Sequence, residues 1–193
     1  MIDEIRGRIR ESVDVHETLL RDPTFLASVE AAVELVTTTF RGGAKLLIFG
    51  NGGSASDASH IAAEFAFRVF IERPGLPAVA LGPNFSVSSA IANDYAYRDV
   101  FSKQLEGLGR PGDAAWGITT SGNSENVIEG LRVARSRGLA TLALTGRTGG
   151  RLPKVDVLIR VPSDATPRIQ EGHILVGHIV SELVEARLFG RGG

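Results

Sequence analysis

Apolar residues recur along this chain with two different periods, and the change between them divides it. From residue 3 to 40, Ile5, Ile9, Val13 and Leu20 recur at near-helical spacing, Asp22-Pro23 interrupts them, and Phe25, Val29, Val33, Leu35 and Val36 resume the pattern. This spacing predicts two helices, the second ended by Gly42-Gly43. Beyond that point apolar residues come in five short continuous runs: KLLIFG (45–50), LPAVALG (76–82), AAWGIT (114–119), ATLALTG (140–146) and VDVLIRV (155–161). Runs this short and this apolar predict strands buried on both faces. Between them, 54–70, 86–107 and 124–137 predict helices; only a short turn precedes the fifth run, and a last helix spans 167–188.

Strands alternating with helices predict an α/β fold: a three-layer sandwich with a five-stranded parallel sheet flanked by helices, preceded by an N-terminal helical arm. No linker or internal repeat interrupts the chain. A single domain over 1–193 is therefore expected, with the arm at 1–43 and the sheet domain at 44–193. An amphipathic arm buries its apolar stripe on its own sheet domain or on a partner chain. In open parallel sheets, ligands bind beyond the carboxyl ends of the strands, so the segments that follow the runs are where chemistry is expected.

Composition narrows the classes. With 193 residues, 43% of them hydrophobic, the chain can build a sizeable core. A formal net charge of −1 with no block of like charges leaves no footprint for nucleic acid. Cysteine is absent, which excludes disulfides and thiolate metal sites. The start, MIDEIRGRIRESVD, is charged throughout, and no stretch of ~18 apolar residues occurs; no membrane partner and a cytoplasmic location are expected.

Two turns carry candidate chemistry. GNGGSAS follows the first run directly. It lacks the Gly-Lys-Ser/Thr of a Walker loop, yet Gly50, Gly52 and Ala55 satisfy the looser Gly-x-Gly-x-x-Ala of dinucleotide folds, and Glu72 lies near the place where such folds set a ribose-binding carboxylate. TTSGNSEN follows the third run and sets Thr119, Thr120, Ser121 and Ser124 within six residues. Hydroxyls beside the free N–H groups of a helix start make a site for a phosphate dianion. The same residues also serve as a plain cap and turn. Two such turns after parallel strands favour a sugar phosphate. Between them, Asn93 and Asp94 close the helix that follows the second run, either as a local turn or facing the same crevice.

His60 and Glu64 lie one turn apart on one helix face, a spacing that suits a shared metal ion and equally a plain hydrogen bond. Glu64 sits among Ile61, Ala62, Ala63, Phe65 and Ala66. In that company a carboxylate is expected to be desolvated, which makes it a stronger base. In the last helix Gln170, Glu171, His173 and His178 interrupt an apolar pattern. His173 reads as a core histidine and His16 as an ordinary surface or interface one. Spacing alone gives Gln170 and His178 no role.

Taken together, GNGGSASDASHIAAEF, AIANDYAYRDVFSKQLE, TTSGNSENV and TPRIQEGHILVGHIVSELVE resemble the sedoheptulose 7-phosphate isomerases, or phosphoheptose isomerases, of the sugar isomerase (SIS) fold. The resemblance runs from Lys45 to the C-terminus. It implies an aldose–ketose isomerase that interconverts sedoheptulose 7-phosphate and D-glycero-D-manno-heptose 7-phosphate by enediol-type proton transfer, the first step toward ADP- or GDP-heptose. It implies a homotetramer with active sites at subunit contacts. Asn51, Gly52, Gly53, Ser54, Asn93, Asp94 and Gln170 are implied to contact the sugar, and Thr119, Thr120, Ser121 and Ser124 to hold the phosphate. Glu64 and His178 are implied as the acid–base pair, and His60, Glu64, Gln170 and His178 as a zinc site. Thr119 stands where the family loop commonly has serine, which keeps the hydroxyl. In a regular helix Gln170 and His178 are ~12 Å apart along the axis, so one zinc ion reaching both needs long side chains that converge or a helix that starts after Gln170. Two other readings stay open. One is a non-catalytic SIS protein that binds a sugar phosphate or a partner protein such as a replication initiator, against which the presence of Glu64 and His178 speaks. The other is a dinucleotide-binding enzyme, which needs Glu72 at the end of a strand.

Overall fold

The computed structural model describes residues 1–190, and in it five parallel strands form one sheet in the order β2-β1-β3-β4-β5. They are β1 (Leu46–Gly50), β2 (Ala78–Ala80), β3 (Ala114–Ile118), β4 (Ala140–Thr145) and β5 (Val157–Arg160). β1 and β3 are buried along their whole length. Alternate side chains feed two cores: Leu46, Ile48, Trp116, Ile118, Leu142 and Leu144 enter one, and Leu47, Phe49, Ala115 and Ala143 the other. A strand with no solvent face has no polar positions to alternate, which is why these runs show no period in the sequence.

The first core is closed by α2 (Pro23–Arg41), α3 (Gly53–Ala66) and α7 (Thr166–Phe189), the second by α5 (Val100–Leu108) and α6 (Glu125–Ser136). This is the expected three-layer sandwich. Half of the expected arm belongs to it, because α2 buries Phe25, Val29, Val33 and Val36 in the first core. The other half, α1 (Ile2–Arg21), buries only Leu19 and leaves Ile5, Ile9 and Val13 exposed. The break between α1 and α2 follows from Asp22, whose side chain accepts from Thr24 N–H at 2.8 Å, and from Pro23 in the first turn of α2.

Two helices differ from expectation. The single helix expected over 86–107 is α4 (Phe85–Asp94) and then α5, joined by a 3₁₀ turn at Tyr97–Asp99, because Ala96 is extended with φ −153°. The helix expected over 54–70 ends at Ala66; the backbone N–H groups of Val69, Phe70 and Ile71 turn instead toward the Glu185 carboxylate of α7. The second strand is also shorter than its apolar run, with three residues on the sheet edge.

Strand order positions the site. The chain leaves β1 toward β2 on one side and leaves β3 toward β4 on the other. A crevice therefore opens beyond the carboxyl ends of β1 and β3, where the direction of winding reverses. Both candidate turns begin there.

Candidate active site

In the second turn Ser124 occupies the N-cap position of α6, yet its side chain makes no capping bond. Its hydroxyl instead lies 3.0 Å from that of Thr119, which is buried at the end of β3. Thr120 and Ser124 are half-buried and Ser121 is exposed. Capping is thus not what the Ser124 hydroxyl does; Val127 N–H donates to Asn126 Oδ1 at 3.0 Å, and the rest of the α6 N-terminus is left for another acceptor.

The first turn is tied to the second by side-chain amides. Asn51 Nδ2 donates to Asn126 Oδ1 and Asn126 Nδ2 donates to Asn51 Oδ1, both at 2.8 Å. Tyr97 Oη donates to the same Asn51 oxygen at 3.0 Å. Both acceptor positions of the Asn51 amide are filled, and one of its N–H bonds goes to Asn126. Asn126 and Tyr97 carry no signal in the sequence because the bond partner of each lies far off in the chain. Gly52 and Gly53 open α3, followed by the buried Ser54. A Cβ on Gly53 would stand 2.2 Å from Gln170 Nε2, so the missing side chain is what lets Gln170 of α7 lie on this turn. Asn51 and Gly52 also line a cavity of about 370 Å³ with Phe85, Ser88 and Tyr97. Asn93 and Asp94 are exposed at the end of α4, form a local turn in which Asn93 Nδ2 donates to Asp94 at 2.9 Å, and are not part of that lining.

The acid–base candidates meet elsewhere, on the seam between α3 and α7. A Cβ at Gly177 would fall 2.6 Å from Ile61, so glycine there permits the close approach of the two helices. That approach sets His178 Nε2 3.2 Å from His60 Nε2, which is 3.1 Å from Glu64 Oε1. One ligand atom from each of the three residues lies within 4.8 Å of the others. These atoms can share a proton or a cation. If His60 Nε2 carries a proton, one N–H faces both a carboxylate oxygen and a second imidazole nitrogen. If it does not, its lone pair faces that oxygen. A cation between them satisfies all three, and two imidazoles with one carboxylate are a donor set of catalytic zinc type.

The side chain of Glu64 is 23% exposed, so the sealed environment expected from its neighbours is not reached. Ile61, Ala62 and Phe65 point into the core, whereas Glu64 points along the seam. Asp57 does not stand out in the sequence, yet with His60 and Glu64 it makes an i, i+3, i+7 stripe on α3. Its Oδ2 is buried without a hydrogen-bond partner among the described residues. Burial raises its pKa, opposed by the nearby His60.

One chain therefore holds two separate groups. Glu64 is eleven residues beyond Gly53 on α3, roughly three turns away. Gln170 stands with the turns: α7 already begins at Thr166, so Gln170 lies inside the helix and apart from the imidazoles. His173, His16 and Glu72 join neither group. His173 is fully buried, and loss of water holds its pKa down at about 4, only weakly opposed by the Thr145 backbone. His16 is half-buried on α1, with Nδ1 2.7 Å from Ser12 O. Glu72 has an 83% exposed side chain in the segment between α3 and β2, paired with Arg68, so no carboxylate stands at a strand end for a ribose there.

A parallel sheet wound in this order, with a glycine turn after β1 and a hydroxyl turn after β3, defines a SIS domain, and the model of the SIS domain family matches residues 15–146. The phosphoheptose isomerase of Thermodesulfovibrio yellowstonii is 52% identical over 188 residues, 97% of this chain and 92% of that protein. That of Roseiflexus sp. is 51% identical over 98% of this chain and 93% of its own. Among solved structures, a phosphoheptose isomerase from Neisseria gonorrhoeae is 40% identical with a TM-score of 0.87, covering 95% of this chain and 98% of that one. Another, from Francisella tularensis, is 30% identical with a TM-score of 0.90, covering 95% and 97%. This chain belongs to the phosphoheptose isomerase family.

Proposed function

We propose that the protein catalyses the reaction of its family, interconverting sedoheptulose 7-phosphate and D-glycero-D-manno-heptose 7-phosphate. The observation that carries this reading is the convergence of Glu64 and His60 with His178, which lies 118 residues from His60. Packing does not require two imidazoles and a carboxylate to face one another, and the group suits both proton transfer and the holding of a metal ion. Interconverting a 2-ketose and an aldose moves one proton between C1 and C2 and another between their oxygens. Glu64 takes the carbon-bound proton, and His178 serves the oxygens or ring opening, since imidazole exchanges protons near neutrality.

Thr119, Thr120, Ser121 and Ser124 bind the phosphate with the N-terminus of α6. The turn holds no lysine or arginine, so hydrogen bonds and the helix dipole do the binding. Asn51, Gly52, Gly53, Ser54 and Gln170 contact the sugar; Asn93 and Asp94 are kept in that set on the resemblance alone. His60, Glu64 and His178 would hold a divalent metal, zinc by their chemistry, and it would supply Lewis-acid polarisation of a sugar oxygen; coordination would lower the basicity of Glu64, so the carboxylate would shift its contacts away from the metal to take the carbon-bound proton. The phosphate turn and the acid–base group are far apart on one chain, and the stripe Ile5, Ile9 and Val13 is open on α1. Both features support a homotetramer in which neighbouring subunits complete each site. One domain over 1–193, whose last three positions lie outside the described residues, and a cytoplasmic location complete the reading. No helix among the described residues is long and apolar enough to cross a membrane.

The test is incubation with sedoheptulose 7-phosphate in heavy water, followed by NMR. The expected result is the aldose with deuterium at C2, formed more slowly after chelation and restored by zinc. Absence of turnover under all these conditions removes the enzyme reading and favours a sugar-phosphate-binding protein.

A further inference from the structure

The segment that leaves α3 is organised around a buried ion pair with no part in the chemistry above. Glu185 on α7 and Arg73 each have side chains only 1% exposed, and Arg73 Nε donates to Glu185 at 2.9 Å. The Glu185 carboxylate also accepts from the backbone N–H groups of Val69, Phe70 and Ile71 at 2.7–2.9 Å. The rest of the guanidinium reaches back to α3. It donates to the carbonyl oxygens of Glu64 and Phe65, each at 2.9 Å. These are carbonyls of the last turn of α3, which have no partner within the helix. Glu185 is seven residues beyond His178, so it shares a face of α7 with it. A buried charge pair does little for stability against apolar side chains of equal volume, and this one is aimed at the backbone of Glu64 itself.

We propose that Arg73 and Glu185 are positioning residues for the acid–base group: the pair clamps the last turn of α3 to α7 and thereby holds the Glu64 carboxylate against His60 and His178. The inference rests on the proposed isomerase activity for its kinetic consequence but not for its geometric one. Arg73→Lys separates the two functions of the side chain. A lysine keeps a charge opposite Glu185, but its single ammonium cannot span the carboxylate and both carbonyls. Glu185→Gln keeps the shape and removes the charge that gathers the three N–H groups.

The experiment measures kcat and KM for sedoheptulose 7-phosphate, thermal midpoints, and the imidazole ¹⁵N resonances of His60 and His178, on the wild type, R73K, E185Q and F189L. Phe189 lies over the guanidinium with 5.5 Å between the Arg73 Cζ and the ring centroid, and F189L leaves both charges in place. The expected result is a tenfold or greater fall in kcat for R73K and E185Q, with KM within threefold of wild type at a temperature where each is folded. F189L is expected to show a twofold fall, and the His60 resonance to move in all three. Wild-type kcat and an unmoved His60 resonance in folded R73K overturn the proposal. If neither charge variant folds, an unmoved resonance in F189L overturns it. A wild type inert toward this substrate would count against the isomerase reading alone, because the resonance shift still decides the positioning.

Discussion

The turn after β3 and the seam between α3 and α7 both gather polar groups, and they do so by opposite means. In the turn, Thr119, Thr120, Ser121 and Ser124 are neighbours in sequence, and the backbone has only to bend to present them. On the seam, His60 and Glu64 meet His178 only because two helices touch, at the place where Gly177 has no side chain to hold Ile61 away. The turn should therefore tolerate changes in packing and respond to loss of individual hydroxyls. The seam should respond to anything that shifts a helix by a fraction of an ångström.

The largest effect expected is on the seam. Glu64→Gln or His178→Gln should each lower kcat by about 10²–10⁴-fold, the usual contribution of a general acid or base, while circular dichroism shows a folded protein. Near-normal turnover in either variant takes that residue out of the mechanism. A second effect reaches both regions, because His173 lies on α7 between Gln170 and His178. Its folded pKa of about 4 is below the ordinary 6.5. Between these values the unfolded chain binds a proton that the folded chain does not. The stability from the neutral, buried ring is thus complete above pH 6.5 and is lost as pH falls toward 4, by roughly 3 kcal/mol in all. Loss of water alone would raise the pKa values of Asp113, Asp156 and Glu185, but hydrogen bonds and cationic neighbours outweigh it and hold them low, so their contributions disappear only at still lower pH. Chemical denaturation of wild type and His173→Leu between pH 7 and 4 checks this; equal slopes would show that the ring is not the cause.

In the turn, Thr119→Ala and Ser124→Ala should each remove a hydrogen bond to a charged group. Such a bond is worth about 1.5–3 kcal/mol, and the loss should appear as a rise in KM of roughly 10–100-fold with kcat little changed. A fall in kcat with constant KM would move the hydroxyls from binding to chemistry. The smallest effects separate the two regions most directly. Gly177→Ala drives a Cβ into the buried Ile61, which should cost about 1–3 kcal/mol and lower kcat as well. Gly53→Ala meets the far end of Gln170, which can swing aside, so stability should change by about 0.5 kcal/mol or less and the effect should fall on KM. Identical profiles for the two alanine variants, measured by denaturant titration and steady-state kinetics, would erase the distinction between turn and seam.

Much of this architecture is legible in the amino-acid sequence. The five strands stand where the apolar runs do, and the central ones do so because a strand covered on both faces must be apolar throughout, whereas the edge strands β2 and β5 keep exposed Val79 and Arg160. The helix expected over 86–107 is broken at Ala96 and the one over 54–70 stops at Ala66. In the second case the cause is Glu185, more than a hundred residues on, which no local pattern could report. The hydroxyl turn is legible as a phosphate grip, but whether Ser124 caps its helix is not, since that depends on where its hydroxyl rotates. Asn126 sits in plain view within the turn and carries no signal, because its partner is Asn51, on the other turn.

What the sequence determined by itself is therefore the order of elements, the sheet they build, the two turns at its carboxyl edge and the family. Each of these depends on residues within a turn or two of one another, whose periodicity and backbone preferences act locally. The tertiary structure alone decided that His178 faces His60 and Glu64, that Asn51 is committed to Asn126, and that Arg73 and Glu185 brace the end of α3. Those contacts depend on how closely two packed surfaces can approach, and that distance is set by side-chain volumes at positions such as Gly177 and Gly53 that carry no chemistry of their own.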